Sequence, residues 1–376
     1  MGKSYQKQLQ AKQRRLAEIL GDVAELEGLQ LLGPVGSPRA TGYRNHAKLV
    51  FRRRRNRETM EDEIILGVYK PGTHSVMPAE SCIVHHRRLQ PLLRVLPEEV
   101  QDLQIPIYDE RTGQGTLRYV LARTSDHASR IHLTLVSGDE KVPHLETLIG
   151  RLQRRFRELE SVFLCVNAEE GNQLLTDDIR QIKGPPALRE KFGDLTLESR
   201  AGAFLQANTE VASRIYETAA RWLDAWASEG VVDLFCGVGA LGLAAAGRNT
   251  RLLGIESSEA AIECARANAK RMQRHGAEFV AAPAEEVARI CEEKGFTRPA
   301  AVIVNPPRKG LAQETGEAIV ALAPRRVLYV SCDPETLARD LRGFAQSGYR
   351  ARRARLFDML PHTPHIETVV LLEKGR

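Results

Sequence analysis

Leu9, Leu16, Ile19, Leu20 and Val23 recur at near-helical spacing within a polar, basic N-terminal stretch, and they predict a helix over residues 5–27. Gly and Pro then interrupt the pattern in LLGPVGSPRATGYRNHAK. From about 44 to 140 the chain alternates apolar and polar positions in short runs: HAKLVFRRRR, EIILGVYKPGTHSVMP, TLRYVLART and SRIHLTLVSG. These predict strands separated by turns, with one helical stretch near 85–95. A further helix is expected over 142–160 and a strand at SVFLCVNAE. The segment IKGPPALREKFGDLTLESRAGAFLQANTE reads as a linker-like transition.

After residue 208 helix and strand alternate. A helix from 209 to about 227 leads into GVVDLFCG, and the apolar runs RLLGIE, AEFVAA, AAVIVNPP, RRVLYVSC, RARLFDM and ETVVLLEK follow, separated by helical stretches. Seven strands with intervening helices imply a largely parallel, doubly wound sheet, whose ligands sit at the carboxyl ends of the strands. The organisation read from these patterns is an N-terminal helix and linker (1–40), a smaller α+β central domain (41–195) and an α/β domain (196–376).

VVDLFCGVGALGLAAA places Gly237, Gly239 and Gly242 as G-x-G-x-x-G between a strand and a helix, the context of a nucleotide-like ligand. Asp233 four residues before the first glycine would repel a pyrophosphate at the helix N-terminus. It suits the ammonium and sulfonium of S-adenosylmethionine. Glu256, ending RLLGIE, can accept ribose hydroxyls from either kind of cofactor. Asn305, in the Asn-Pro-Pro at the end of the fourth strand, has no place in a dehydrogenase and favours the methyl donor.

Arg308 rather than an aromatic follows that Asn-Pro-Pro, which removes the stacking ring expected for amino methylation of a flipped base. Cys332 ends the next strand in the mouth of the sheet, just before a helix that begins around Pro334. The helix dipole is expected to favour its thiolate. A thiolate beside a methyl donor points to carbon methylation, in which addition at C6 of a pyrimidine activates C5. Glu367, at the corresponding end of the last strand, is the candidate base for the C5 proton. Taken singly, a cysteine ending a buried strand is more often inert packing, as Cys236 is expected to be. Glu367 alone could be a surface charge, and His362 and His365 could merely shape a turn.

Composition narrows the setting. Lys and Arg total 54 against 48 Asp and Glu, a net charge of +6 that leans towards a polyanionic partner. Arg52, Arg53, Arg54, Arg55 and Arg57 in FRRRRNRETM are expected at a strand end and turn, as a phosphate-binding ridge; a solvated charged loop is the plain alternative. RRFR at 154–157 reads as an exposed helix face. Six scattered cysteines suggest reduced thiols and a cytoplasmic location. No apolar run approaches the ~20 residues of a membrane span, and the polar N-terminus does not read as a secretion signal. No protein partner is implied.

FLQANTEVA, DLFCGVGALGL, GIE, VNPPRKGL, YVSCDPETLARDL and FDMLPHTPHIE together make the chain resemble the RNA uracil-5-methyltransferases, over nearly its whole length. The resemblance implies a Rossmann-like class I methyltransferase domain using S-adenosylmethionine. It gives Gln206, Phe235, Glu256 and Asn305 to the cofactor site, the nucleophile to Cys332 and the base to Glu367. GYRNHAKLVF and GVYKPGTHSVMPAESCIVHHRRL are similar to the ribosomal-RNA branch, so large-subunit rRNA is the expected substrate, with tRNA the alternative. Arg308 is grouped with the arginine run as RNA-binding. Members of that branch commonly carry a four-iron cluster, and Cys82 stands where the later ligand would be. One thiol cannot hold a cluster, so neither an iron–sulfur cluster nor another metal is expected; a Cys82–His85 metal pair is the remote alternative. A cytosine C5 enzyme, a non-catalytic RNA-binding assembly factor and a nicotinamide oxidoreductase are the competing readings, in falling order for the last two.

Overall fold

The computed structural model describes residues 4–56, 59–169, 174–223 and 230–375. The chain divides into two compact units, one built from the residues up to Ala40, Lys191–Ser199 and Ala203 onward, the other from Thr41–Glu190 and Arg200–Gly202.

The first unit opens with helix α1 (Tyr5–Gly21) and strand β1 (Gln30–Val35). The predicted spacing of Leu9, Leu16 and Leu20 buries one stripe of α1. The helix stops at Gly21, a poor helix former, and the chain tightens into a 3-10 turn over Ala24–Leu26, so the expected extension to 27 is not helical.

The second unit is a seven-stranded sheet of β2 (His46–Arg55), β3 (Asp62–Tyr69), β4 (Val76–Pro78), β5 (Leu117–Ser125), β6 (Arg130–Ser137), β7 (Leu159–Val166) and β8 (Ile179–Lys183), with helices α2 (Leu89–Asp102) and α3 (Leu145–Arg155). The strand order is β4-β3-β2-β5-β6-β7-β8. Only β6 and β7 run parallel, joined by α3 as crossover. Leu89, Leu92, Leu93, Leu96 and Val100 form the buried stripe of α2, which begins and ends later than 85–95. They pack with Leu49, Phe51, Val120, Leu133 and Leu135 of the sheet and with Leu148 and Leu152 of α3. α3 is shorter than expected because His144, at its start, takes a left-handed conformation (φ 55°).

The stretch read as a linker is instead a hairpin, β9 (Ala187–Phe192) and β10 (Leu195–Arg200), turning at Gly193 with φ 59°. Short alternating runs such as LTLES bury every second side chain.

The remaining elements are α4 (Thr209–Leu223), β11 (Val231–Leu234), α5 (Ala240–Ala245), β12 (Leu252–Glu256), α6 (Glu259–Arg271), β13 (Ala277–Ala281), α7 (Val287–Glu293), β14 (Ala301–Val304), α8 (Gln313–Leu322), β15 (Arg326–Ser331), α9 (Pro334–Gln346), β16 (Tyr349–Phe357) and β17 (Glu367–Lys374). The continuation of α4 expected to about 227 falls outside the described residues. The sheet order is β1-β16-β17-β15-β14-β11-β12-β13. β11 to β15 are parallel, and β17 inserts antiparallel between β15 and β16. The seven expected strands are therefore joined by an eighth. β1 adds parallel to β16, with Gln30 opposite Arg353. Residues 1–40 belong to this unit and do not form a separate segment. Strands buried on both faces, such as Val231-Val232 and Val302-Ile303, split the core into two layers that helices cover.

Candidate active site

The turn after β11 has a constrained backbone. Phe235, Gly237 and Gly239 all take positive φ, at 59°, 52° and 82°. Glycine adopts that region freely, while an aromatic carries a strain of about 1–3 kcal/mol there. Gly242 meets a different constraint: a Cβ on it would lie 2.8 Å from Asp233 Oδ2. Its N–H donates to that same oxygen at 2.8 Å, so Asp233 ties the glycine loop to its strand.

Asp233 is the third of four strand residues, with Leu234 the last, and it is fully buried. Burial raises its carboxyl to about 7, with the negative charge of Glu256 adding to the rise and the Gly242 hydrogen bond opposing it. Its Oδ1 has no hydrogen-bond partner among the described residues. Asp233 lines a pocket together with Phe204, Gln206, Phe235, Gly237 and Asn305. The set fits a ligand with a cationic end and an aromatic, hydrogen-bonding body.

Glu256 ends β12 as expected, but its oxygens already brace the loop. Oε2 accepts from the Gly237 N–H at 3.2 Å, and Oε1 from the Ser258 N–H at 3.1 Å. Cys236 is buried, and burial pushes its thiol well above the ordinary range, followed by the charges of Asp233 and Glu256.

Cys332 and Glu367 come together through sheet topology. Ser331, the last residue of β15, pairs with Thr368 of β17, so Cys332, which follows the one, and Glu367, which precedes the other, lie at the same end of the sheet, and the Glu367 charge acts on the Cys332 thiol. Cys332 is half-buried and Glu367 is 8% exposed. Burial raises Glu367 to about 7.

The expectation of a thiolate favoured by the helix dipole is not met. Burial raises the Cys332 thiol, the Glu367 charge raises it further, and Arg308 is the charge that pulls it down. The helix N-terminus is occupied instead by Asp333, whose side chain accepts from the Thr336 N–H at 3.0 Å and adds a further negative charge beside the sulfur. Arg308 is held near the thiol by its carbonyl, which accepts from the Thr336 hydroxyl at 3.1 Å, and its guanidinium lies 3.4 Å from His365 Nε2.

In the second unit the arginine run is not a one-sided ridge in a turn. β2 continues through Arg55, pairing Arg52–Arg55 with Ile65–Asp62, so successive side chains leave opposite faces. Arg54 is held by Glu63 at 2.6 Å. Even so, all four border one open basin with Tyr108, Asp109 and Arg111. Arg57 lies outside the described residues. Of RRFR, Arg154 and Arg155 end α3, exposed as expected, and Phe156 caps it.

A second cationic grouping has no counterpart in the sequence-based expectations. Arg44, His46 and Lys48 alternate along and just before β2, and Arg123 of β5 lies opposite His46. Burial, then the charges of Arg123, Arg44 and Lys48, drive His46 well below its usual range. His85, bridged to Arg44, falls to about 4 through burial and the Arg44 charge. Neither His85 Nδ1 nor Arg44 Nε has a hydrogen-bond partner among the described residues. The alternation R-x-H-x-K on a strand was the available signal. Cys82 packs half-buried against the α2 core.

Residues 189–375 match the family model of tRNA (Uracil-5-)-methyltransferase. An uncharacterized RNA methyltransferase of Geobacter sulfurreducens is 34% identical over 93% of this chain and 69% of its own length. One from Halalkalibacterium halodurans is 31% identical over 98% of this chain and 79% of its own. Among solved structures, the Pyrococcus abyssi tRNA (uracil-54, C5)-methyltransferase in complex with S-adenosyl-L-homocysteine superposes with a TM-score of 0.78, at 26% identity, covering 98% of this chain and 83% of that one.

Proposed function

The chain belongs to the RNA uracil-5-methyltransferase family, and from that premise we propose that it methylates C5 of a uridine in large-subunit ribosomal RNA, with Cys332 as nucleophile and Glu367 as base. It is an S-adenosylmethionine-dependent RNA methyltransferase. The cofactor supplies an electrophilic methyl group. Gln206, Asp233, Phe235, Gly237 and Asn305, which line one pocket, are the residues that would hold it, with Gly239 in the same glycine loop and Glu256 bracing that loop beside them, and with Asp233 as acceptor for its cationic end.

The observation that carries the mechanism is that the Ser331–Thr368 pair brings Cys332 and Glu367 to one end of the sheet, close enough for the Glu367 charge to act on the thiol. The Cys332 sulfur, with Arg308 favouring its anionic form, bonds to C6 of the uracil ring. The C5–C6 electron pair then becomes available at C5, which takes up the methyl group. The Glu367 carboxylate removes the proton left on C5, and those electrons re-form the C5–C6 double bond as the sulfur departs as thiolate. A carboxyl near 7 is matched to that task at neutral pH. The products are 5-methyluridine, S-adenosylhomocysteine and a proton.

RNA contact by Arg52, Arg53, Arg55 and Arg308 belongs to the same reading, as does the grouping of Arg44, Lys48 and Arg123. Phosphodiesters are the anions that such clustered cations suit. Six free cysteines support a cytoplasmic site of action. The ribosomal choice rests on the similarity of GYRNHAKLVF and its neighbouring segment to that branch; the Pyrococcus relative acts on tRNA, which makes a tRNA uridine the second reading.

Incubation with unmodified large-subunit rRNA or tRNA and S-adenosylmethionine, followed by mass spectrometry of the digested nucleosides, decides between them. 5-Methyluridine in the rRNA pool alone is the expected result. Its appearance in tRNA alone would replace the substrate, and 5-methylcytidine in either would overturn the reaction.

A further inference from the structure

We propose that helix α1 is a clamp that sets the position of the catalytic base, with Lys12 as its positioning residue; this rests on the assignment of Glu367 as base. The loop from Asp358 to Ile366 joins β16 to β17 and delivers Glu367 to the site. One face of α1, at Tyr5, Gln8, Lys12 and Arg15, grips that loop along its length. These residues follow the three-and-four spacing of a single helix face.

Lys12 Nζ makes an ion pair with Asp358 Oδ1 at 2.7 Å and donates to the Leu360 carbonyl at 3.1 Å. Both side chains are buried. Tyr5, raised to about 12 by burial and by the Asp358 charge, accepts from the Ser37 N–H at 2.6 Å. Gln8 holds His362 twice: its Oε1 accepts from the His362 N–H, and its Nε2 lies against the ring Nδ1, both at 3.2 Å. His362 needs that hold, since its φ of 63° is a region non-glycine residues rarely occupy. From the far side, Asn208 Nδ2 donates to the Met359 carbonyl at 3.2 Å.

Arg15 reaches both halves of the catalytic pair. It donates to the Pro364 carbonyl, three residues before Glu367, at 3.4 Å, and pairs with Glu335 at 2.6 Å. Glu335 lies in the first turn of α9, three residues after Cys332. One helix thus ties the base loop to the element that follows the nucleophile. A buried ion pair contributes little net stability compared with apolar packing of the same volume. Its effect is to fix geometry, and the loop it fixes ends in the base.

The test uses the full chain and the partition of the reaction at the adduct. A misplaced base slows loss of the C5 proton after sulfur and methyl have been added, so protein covalently linked to RNA accumulates. Lys12→Met and, as a milder variant that keeps the buried pair, Gln8→Ala are compared with the wild type on unmodified RNA. Turnover is expected to fall at least tenfold in Lys12→Met and severalfold in Gln8→Ala. KM for S-adenosylmethionine should stay within twofold, denaturation-resistant protein–RNA complex should build up, and Lys12→Arg should recover part of the turnover. Unchanged turnover in both variants, or slowed turnover without accumulated complex, overturns the clamp. Glu367→Gln is the control: if it accumulates no complex, the assignment of the base fails; if it does and the α1 variants do not, the clamp alone fails.

Discussion

Cys332 follows Ser331, the last residue of β15, and Glu367 precedes Ser331's partner Thr368 at the start of β17, so strand register brings the proposed nucleophile and base to one end of the sheet, where the loop from Asp358 to Ile366 leads into Glu367. Their charges oppose each other. An ionised Glu367 disfavours the Cys332 thiolate, and Arg308 is the group that counters it. In the proposed mechanism, once the sulfur has bonded to C6 its charge has left the pair and Glu367 is free to act as a carboxylate.

The rate should carry this coupling as a pH dependence. Burial raises Glu367 to about 7 and raises the Cys332 thiol as well, and both must lose protons to work. kcat/KM is expected to climb as pH rises through about 7, with a limb at higher pH from the thiol. Replacing Arg308 by Met should move that second limb upward. A profile flat between pH 6 and 8 would contradict both shifts.

Stability should respond in the opposite sense. The folded Glu367 keeps its proton up to about 7, whereas an ordinary glutamate loses it near 4.5. The native state therefore binds more protons between those values, and stability falls as pH rises through that window. Glu367→Gln removes the charge that must be buried above pH 7. It should melt above the wild type at pH 8, by a free energy of at most about 3 kcal/mol, and with it at pH 4. Scanning calorimetry at the two pH values is the check.

Cofactor affinity should depend on Asp233. Its unmet, buried Oδ1 pairs with a cation only when ionised, and its carboxyl is raised to about 7. Titration calorimetry should find S-adenosylmethionine binding tighter at pH 8 than at pH 6. Asp233→Asn should weaken it at least tenfold, about 1.4 kcal/mol or more, and abolish the pH dependence.

RNA affinity should divide the arginines. Arg54 is engaged by Glu63, whereas Arg53 and Arg55 border the basin with no ion pair among the described residues. Arg53→Ala with Arg55→Ala should lower affinity and reduce the slope of log K against log salt by about 0.7 for each phosphate that is no longer neutralised. Arg54→Ala should change the slope less. Filter binding between 50 and 200 mM salt, a range over which such phosphate interactions separate clearly, measures it.

The sheet and its strand-end residues were legible because parallel strands buried on both faces read as unbroken apolar runs, as at Val302–Val304, and because the glycines mark the turn after β11. β1 was not legible: QLLGPV contains the Gly-Pro of a break and gains its identity from Arg353 and Phe357, more than 300 residues away. The same distance hid the role of Lys12, a charge set in an otherwise apolar helix stripe, whose partner Asp358 is 346 residues on. The raised thiol of Cys332 comes from burial first, then from the charges of Glu367 and Asp333, and both the burial and the Glu367 neighbour are products of the fold that a helix start in the sequence does not show.

The most direct measurement of the central claim is to offer the enzyme RNA in which 5-fluorouridine replaces uridine, with S-adenosylmethionine. Fluorine at C5 cannot leave as a proton does, so the reaction halts with sulfur on C6 and methyl on C5. Peptide mass spectrometry of the trapped complex should find nucleotide and methyl group on the peptide containing Cys332, and none in Cys332→Ala. A nucleotide on any other cysteine, or no covalent complex from an enzyme that methylates ordinary RNA, would contradict it.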